Sequence, residues 1–168
     1  MKTLLLIRHA KSSWKEPSLT DLQRPLKKRG IRNASEMGER LAKLDHRVER
    51  IFTSPARRAM QTIELMAECA GFNSDMIEVC PDLYSFDYDD VMLYLRKLDA
   101  QWQSIAVVGH NPAITDLVNF LALDHITNIP TCGVAQLELD IASWNALKAG
   151  CGKLLHYDFP KNDPDVED

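Results

Sequence analysis

No stretch of this chain is both long and apolar. Its longest such runs, residues 4–7 and 117–123, fall far short of the roughly 20 residues that a bilayer-crossing helix requires, so no membrane partner is expected. Positive charge is not in excess either: 20 Lys and Arg stand against 24 Asp and Glu, a formal net charge of −4. A polyanion held by bulk attraction is thereby disfavoured, because non-specific nucleic-acid affinity comes from cations gathered on one face. No nucleic-acid partner is expected, and any anion must be met by local cations. Aromatic residues make up 7%, with 7 Gly and 8 Pro, which excludes a collagenous or low-complexity chain. The opening apolar segment is too short for a signal peptide and lacks a small-residue cleavage site, so a cytoplasmic location is expected. Cys69, Cys80, Cys132 and Cys151 are widely spaced, with no C-x-x-C pair, and read as reduced thiols.

What is present is an alternation of short β-rich runs with amphipathic helical stretches, the pattern of an α/β domain with a largely parallel sheet. By length, residues 1–168 form a single domain, with a frayed tail over 160–168. Residues 3–7 form a continuous apolar run, as in a central strand covered on both faces. Ile31, Ala34, Met37, Leu41 and Leu44 recur at helical spacing and predict a helix over 28–44. Residues 49–54 predict a second strand. A helix is then expected from Pro55, capped by Ser54, with Ala59, Ile63, Met66, Ala67 and Ala70 on its apolar face and Gly71 as its stop. Residues 76–80 and 104–108 read as further strands. Between them lie an acidic aromatic loop and a helix carrying Val91, Leu95 and Leu98, and a helix over 113–122 follows Pro112. Residues 134–141 and 153–159 alternate apolar with polar and predict two more strands, at least one antiparallel at an edge.

The histidines and arginines fall at informative places. Arg8 and His9 follow the first strand, His110 follows the fourth, and Arg57 and Arg58 follow the second at the start of a helix. In an open parallel sheet, ligands bind outside the carboxyl ends of the strands, so these residues converge on one edge. Two arginines and two imidazoles there suit a dianionic phosphoryl group: guanidinium forks bind its oxygens, and a neutral His9 can attack phosphorus to form a covalent phosphohistidine. Fixed cations can supply the charge stabilisation without a metal or other cofactor. A metal site built on His9, His110 and Asp21 lacks any familiar ligand spacing. His46, His125 and His156 are expected in structural or solvated roles.

The segment Leu6-Ile7-Arg8-His9-Ala10-Lys11-Ser12 resembles the Arg-His-Gly signature of the histidine phosphatase superfamily, whose fold is that of phosphoglycerate mutase. Ser54-Pro55-Ala56-Arg57-Arg58-Ala59-Met60-Gln61-Thr62 is similar to its Ser-Pro-x-x-Arg-Ala-x-Gln-Thr motif, and Val108-Gly109-His110-Asn111-Pro112 to its third. Asp21-x-x-Arg24-Pro25-Leu26, with Gly30, resembles the short phosphohistidine phosphatases of the SixA type. The resemblance implies a three-layer α/β/α sandwich, with His9 as nucleophile and Arg8, Arg58 and His110 completing a phosphate pocket. It selects Arg58 over Arg57 and places the Ser12 hydroxyl where it would touch phosphate.

The chain departs from the pattern at Ala10, where glycine is usual, and in having no clear match to the family's general-acid glutamate. Tyr84, Asp87, Asp89 and Asp90 are the substitutes on offer. Expelling an alkoxide needs a proton donor, whereas an imidazole protonated on its far nitrogen leaves neutral without one. The resemblance thus implies a metal-independent phosphatase acting on phosphohistidine in a signalling protein and releasing inorganic phosphate. Only 47 residues (63–109) separate Thr62 from His110, too few for a large lid, which suits an open pocket and a protein substrate. Two alternatives stay open: a phosphatase or mutase of small phosphate esters using a carboxylate from 87–90, and a non-catalytic phosphate-recognition module.

Overall fold

The computed structural model describes residues 1–160, and the expected fraying beyond Pro160 lies outside the described residues. Among the described residues, six strands form one sheet in the order β3-β2-β4-β1-β5-β6. They are β1 (Lys2–Arg8), β2 (Arg50–Thr53), β3 (Ile77–Val79), β4 (Ser104–Gly109), β5 (Val134–Leu139) and β6 (Gly152–Asp158). The first four of these are mutually parallel, and β5 and β6 add antiparallel pairings on the far side of β1. The sheet is therefore mixed and mostly parallel, with the antiparallel edge that alternation in the last third predicted.

Among the described residues, four α-helices cover it: α1 (Lys28–Ala42), α2 (Arg57–Ala70), α3 (Tyr88–Arg96) and α4 (Ala113–Ala122). The apolar run of β1 is continuous because each face has its own core. Leu5 and Ile7 pack with Ala34, Met37, Ile63 and Met66 of α1 and α2. Leu4 and Leu6 pack with Leu95 of α3 and Ile114, Leu117 and Leu121 of α4. Strand side chains alternate between faces, so a strand buried on both sides shows no polar positions. All four cysteines are free thiols, and no helix among the described residues is long and apolar enough to cross a membrane.

Helix α2 begins at Arg57, not Pro55, and Ser54 does not cap it as the residue before its first turn. Its hydroxyl accepts the Ala56 N–H at 3.2 Å and lies 2.7 Å from the His110 ring, a partner drawn from the far end of β4. At the other end, Gly71 stops α2 with φ of 77°, the left-handed conformation that a residue without Cβ adopts freely.

Strand register fixes the geometry of the edge where the histidines emerge. Arg8 on β1 pairs with Gly109 on β4, so the next residues, His9 and His110, leave the sheet side by side. The His9 N–H extends the ladder to the Gly109 carbonyl at 3.1 Å, and the Ser54 N–H does the same to Val108 at 3.0 Å. Three chain segments distant in sequence are thus locked together by backbone bonds. Close packing of α1 beneath the segment after His9 depends on Gly30, where a Cβ would stand 2.2 Å from the Lys11 carbonyl oxygen.

Candidate active site

His9 and His110 face one another with ring centroids 5.2 Å apart. Both are nearly inaccessible, and so is Arg58, only 2% exposed, whereas Arg57 points to solvent. Helical phase decides between the two arginines: Arg58 shares the inward face of α2 with Ala59, Thr62 and Ile63. Its guanidinium donates to the Asp21 carbonyl at 2.7 Å and carboxylate at 3.0 Å, and approaches His110 Nδ1 at 3.4 Å. Arg8 donates to the Ile129 carbonyl at 2.8 Å. Asn111 donates to the same carbonyl at 3.0 Å, tying the segment after β4 to the arginine of β1.

The hydrogen bonds assign the tautomers. His9 Nδ1 lies 2.7 Å from the Ala10 carbonyl, which can only accept, so Nδ1 carries the proton and Nε2 keeps its lone pair. In His110 the arrangement is reversed: Nδ1 accepts from Arg58, so the proton sits on Nε2 and is donated to Ser54 Oγ. Ala10 itself is fully buried and its N–H donates to Thr62 Oγ1 at 2.9 Å, while the Thr62 hydroxyl donates to the Arg58 carbonyl at 2.7 Å. Thr62 thereby couples the backbone next to the nucleophile candidate to the arginine. Gln61 accepts the Leu26 N–H at 2.8 Å and holds the far end of the loop.

Electrostatics keep both rings neutral. Burial lowers His9 to about 4; its bond to Ala10 opposes this, and the charges of Arg58, Arg8 and Arg24 add to it. Burial likewise lowers His110 to about 3, aided by His9 and Arg58. Between pH 4 and the ordinary histidine value of 6.5, then, His9 retains a nucleophilic lone pair that a solvated histidine would have largely lost. We expect the acid limb of kcat/KM for the free enzyme to lie nearer pH 4 than 6.5, measured with a substrate whose own titration is divided out. The linked stability has a definite sign: in that window the unfolded chain binds protons that the folded chain refuses. Acidification through it should lower the thermal midpoint.

Two side chains beyond the expected four complete the charged centre. Arg24, 8% exposed, donates to Asp21 at 3.2 Å and to Ser12 Oγ at 2.8 Å, and the Trp14 ring stacks on its guanidinium at 3.5 Å. Ser12 therefore joins the site through Arg24. Asp21 gathers Arg24, Arg58 and the Tyr84 hydroxyl. Desolvation favours its acid form, but hydrogen bonds from Tyr84 and Arg58 outweigh it and hold Asp21 down at about 2. Tyr84 is pushed up by the same bond and keeps its proton. The spacing Asp21-x-x-Arg24 was the available signal for this pair; Tyr84 was marked only as a candidate proton donor, and its bond to Asp21 across 63 positions had no signal in the sequence.

The other candidates sit apart. Asp87 caps α3 by accepting the Asp89 N–H at 2.9 Å, and Asp90 accepts from Ser85 Oγ at 2.7 Å. Among the described residues, none of Asp87, Asp89 and Asp90 hydrogen-bonds to the histidine pair or its arginines. Lys11 is exposed; His46 packs on Phe72 with centroids 4.7 Å apart, and His125 is at the surface. Among the described residues no group of three or more His, Cys, Asp or Glu side chains is arranged to hold a metal ion.

A neutral imidazole with a free Nε2, beside fixed guanidinium groups at the carboxyl edge of a mostly parallel sheet, is an arrangement suited to phosphoryl transfer. The chain belongs to the histidine phosphatase superfamily, branch 1, whose sequence profile matches residues 4–99. An uncharacterized chloroplastic protein of Arabidopsis thaliana is 30% identical over 151 residues, covering 85% of this chain and 69% of that one. An uncharacterized protein of Mycobacterium leprae is 26% identical, covering 92% of this chain and all of its own. Among solved structures, the protein histidine phosphatase SixA complexed with tungstate superposes with a TM-score of 0.76 at 26% identity, covering 94% of this chain and 96% of its own. A chain assigned as SixA from Agrobacterium tumefaciens gives 0.80 at 23% identity, over 95% and 98%. The chain is thus a SixA-like member of the superfamily.

Proposed function

We propose that this protein is a metal-independent phosphatase that removes the phosphoryl group from phosphohistidine on a signalling protein, by way of a covalent intermediate on His9. The observation that carries the reading is the His9 Nδ1 bond to the Ala10 carbonyl, which leaves Nε2 as the nucleophile. Nε2 attacks phosphorus, the bond from phosphorus to the substrate nitrogen breaks, and its electron pair returns to that nitrogen. With a proton on its far nitrogen, the substrate imidazole departs neutral.

The second step uses the same logic. Phosphorylated on Nε2, His9 still holds its Nδ1 proton against Ala10, so its ring is cationic and also leaves neutral when water attacks phosphorus. Water supplies the oxygen and loses a proton, and inorganic phosphate is released. Arg8, Arg58 and His110 bind the phosphoryl oxygens throughout, and the incoming dianion favours a protonated His110 that can donate to it. Ser12 holds Arg24 at the margin of this pocket.

The leaving group also supports a phosphoramidate over an ester. Asp21 is ionised and the Tyr84 hydroxyl is engaged in a hydrogen bond to it, so neither is poised to protonate an alkoxide. The test is the ratio of kcat/KM for a phosphohistidine peptide to that for a set of sugar phosphates. A ratio above about ten is expected. Preference for an ester, lost in Asp87→Asn, would instead establish an ester phosphatase. Reversible phosphate binding with no turnover would establish a recognition module.

A further inference from the structure

The cations of the site lie deep, but its mouth is aromatic. Phe86, on the segment between β3 and α3, sits with its ring centroid 5.3 Å from that of His110 and 5.9 Å from that of Tyr84, which itself meets His110 edge-on at 5.6 Å. Unlike Tyr84, whose hydroxyl is committed to Asp21, the Phe86 ring is 49% exposed. The segment does not leave it there by slackness. Leu83 anchors one side in the core, and on the other the Ser85 hydroxyl accepts the Asp87 N–H at 3.1 Å and donates to Asp90 at 2.7 Å. Asp87 then caps α3. A pinned backbone thus presents a large apolar ring to solvent beside a buried imidazole.

Direction of attack gives that ring a use. His9 and its backbone are built into the sheet edge, and in-line displacement sends the leaving group away from His9, outward through the mouth. Within reach of His110 stands the half-exposed Phe86 ring, a π-face open to a departing group. A planar heteroaromatic ring gains from such a face by offset or edge contact, and gains more when it carries a proton and positive charge. The substrate ring carries that proton and charge while it is phosphorylated, and gives up the charge as the phosphorus–nitrogen bond breaks. A sugar or glycerol alkoxide has neither the plane nor the charge.

We propose that Phe86 is the leaving-group platform of this site, a specificity-determining residue that selects phosphorylated imidazoles over aliphatic phosphate compounds. The proposal rests on the phosphohistidine reading and names the residue that enforces it. It concerns binding of the departing ring, not the bond-breaking itself, for which His9 and the arginines suffice.

The experiment compares two substrates with the same phosphorus–nitrogen bond, a phosphohistidine peptide and phosphoramidate, whose leaving group is ammonia. In Phe86→Ala, the ratio of kcat/KM for the peptide to that for phosphoramidate should fall about 5–10-fold, chiefly through KM for the peptide. Phe86→Leu, which keeps apolar bulk but removes the π-face, should behave like alanine, and Phe86→Trp should restore the ratio. Equal losses on both substrates would overturn the proposal, because they would mean that Phe86 only packs His110 in place. An unchanged ratio would overturn it too. If the unsubstituted protein hydrolyses phosphoramidate but not the peptide, the phosphohistidine reading fails along with the platform; if it hydrolyses both and the ratio survives substitution, only the platform fails.

Discussion

Replacing His9 with alanine lowers turnover of a phosphohistidine peptide by roughly 10⁴-fold or more, the scale expected when a covalent nucleophile is removed. The residual site keeps its arginines and should still bind inorganic phosphate, so the loss falls on kcat. The substitution is mild for the fold. The His9 backbone bonds to Gly109 and Cys132 do not involve its side chain, and its ring gives up one hydrogen bond, to the neighbouring Ala10 carbonyl. A His9→Ala protein that folds, binds phosphate and is inactive separates chemistry from architecture. Turnover within tenfold of the parent would remove His9 from the mechanism.

Arg58→Lys is the second substitution with a large expected effect, about 10²–10³-fold in kcat. Lysine keeps the charge, so a small loss would be expected if charge alone mattered. Arg58 is held by the shape of its fork: one nitrogen donates to the Asp21 carbonyl, the other reaches both the Asp21 carboxylate and His110 Nδ1. A single ammonium cannot occupy those positions together, and arginine and lysine are not interchangeable where a planar, multidentate contact is needed. Arg57→Lys, one residue away on the exposed face, serves as the control and should leave activity within about twofold. Retention of near-parental rates in both variants would show that Arg58 braces the loop carrying Asp21 without touching the phosphoryl group.

His9 and Arg58 were legible in the chain for different reasons. His9 and His110 could be placed because β1 and β4 are apolar on both faces and end abruptly in polar residues; a strand end at the carboxyl edge needs no side-chain geometry to be located. That they lie side by side follows from the register pairing Arg8 with Gly109, which the sequence does not state. Arg58 could be separated from Arg57 by the motif, and the structure supplies the physical basis in helical phase. The start of α2 was misplaced because Ser54 has a choice of partners, and the imidazole that takes its hydroxyl arrives from 56 positions away.

Asp21, Arg24, Tyr84 and Phe86 were harder. They stand on the two long connections, after β1 and after β3, where neither a period of 2 nor one of 3.6 exists to betray a facing direction. Their positions depend on tertiary bonds, Asp21 to Arg58 and Tyr84 above all. The chain has no clear match to the family's general-acid glutamate. The carboxylate that does reach the arginines is held near 2 by the groups that surround it, and the acidic residues at 87–90 are used locally around the start of α3. A chain of net charge −4 therefore concentrates three arginines and two neutral imidazoles at one edge, with the Tyr84 and Phe86 rings beside His110.

The central claim is that phosphate passes through His9, and a single-turnover rapid-quench experiment tests it most directly. Enzyme in excess is mixed with a peptide bearing radiolabelled phosphohistidine, quenched in base, and digested. Label should appear transiently on the peptide containing His9, stable to base and labile to acid, before inorganic phosphate accumulates. Release of inorganic phosphate at the full rate with no label ever on that peptide would contradict the account.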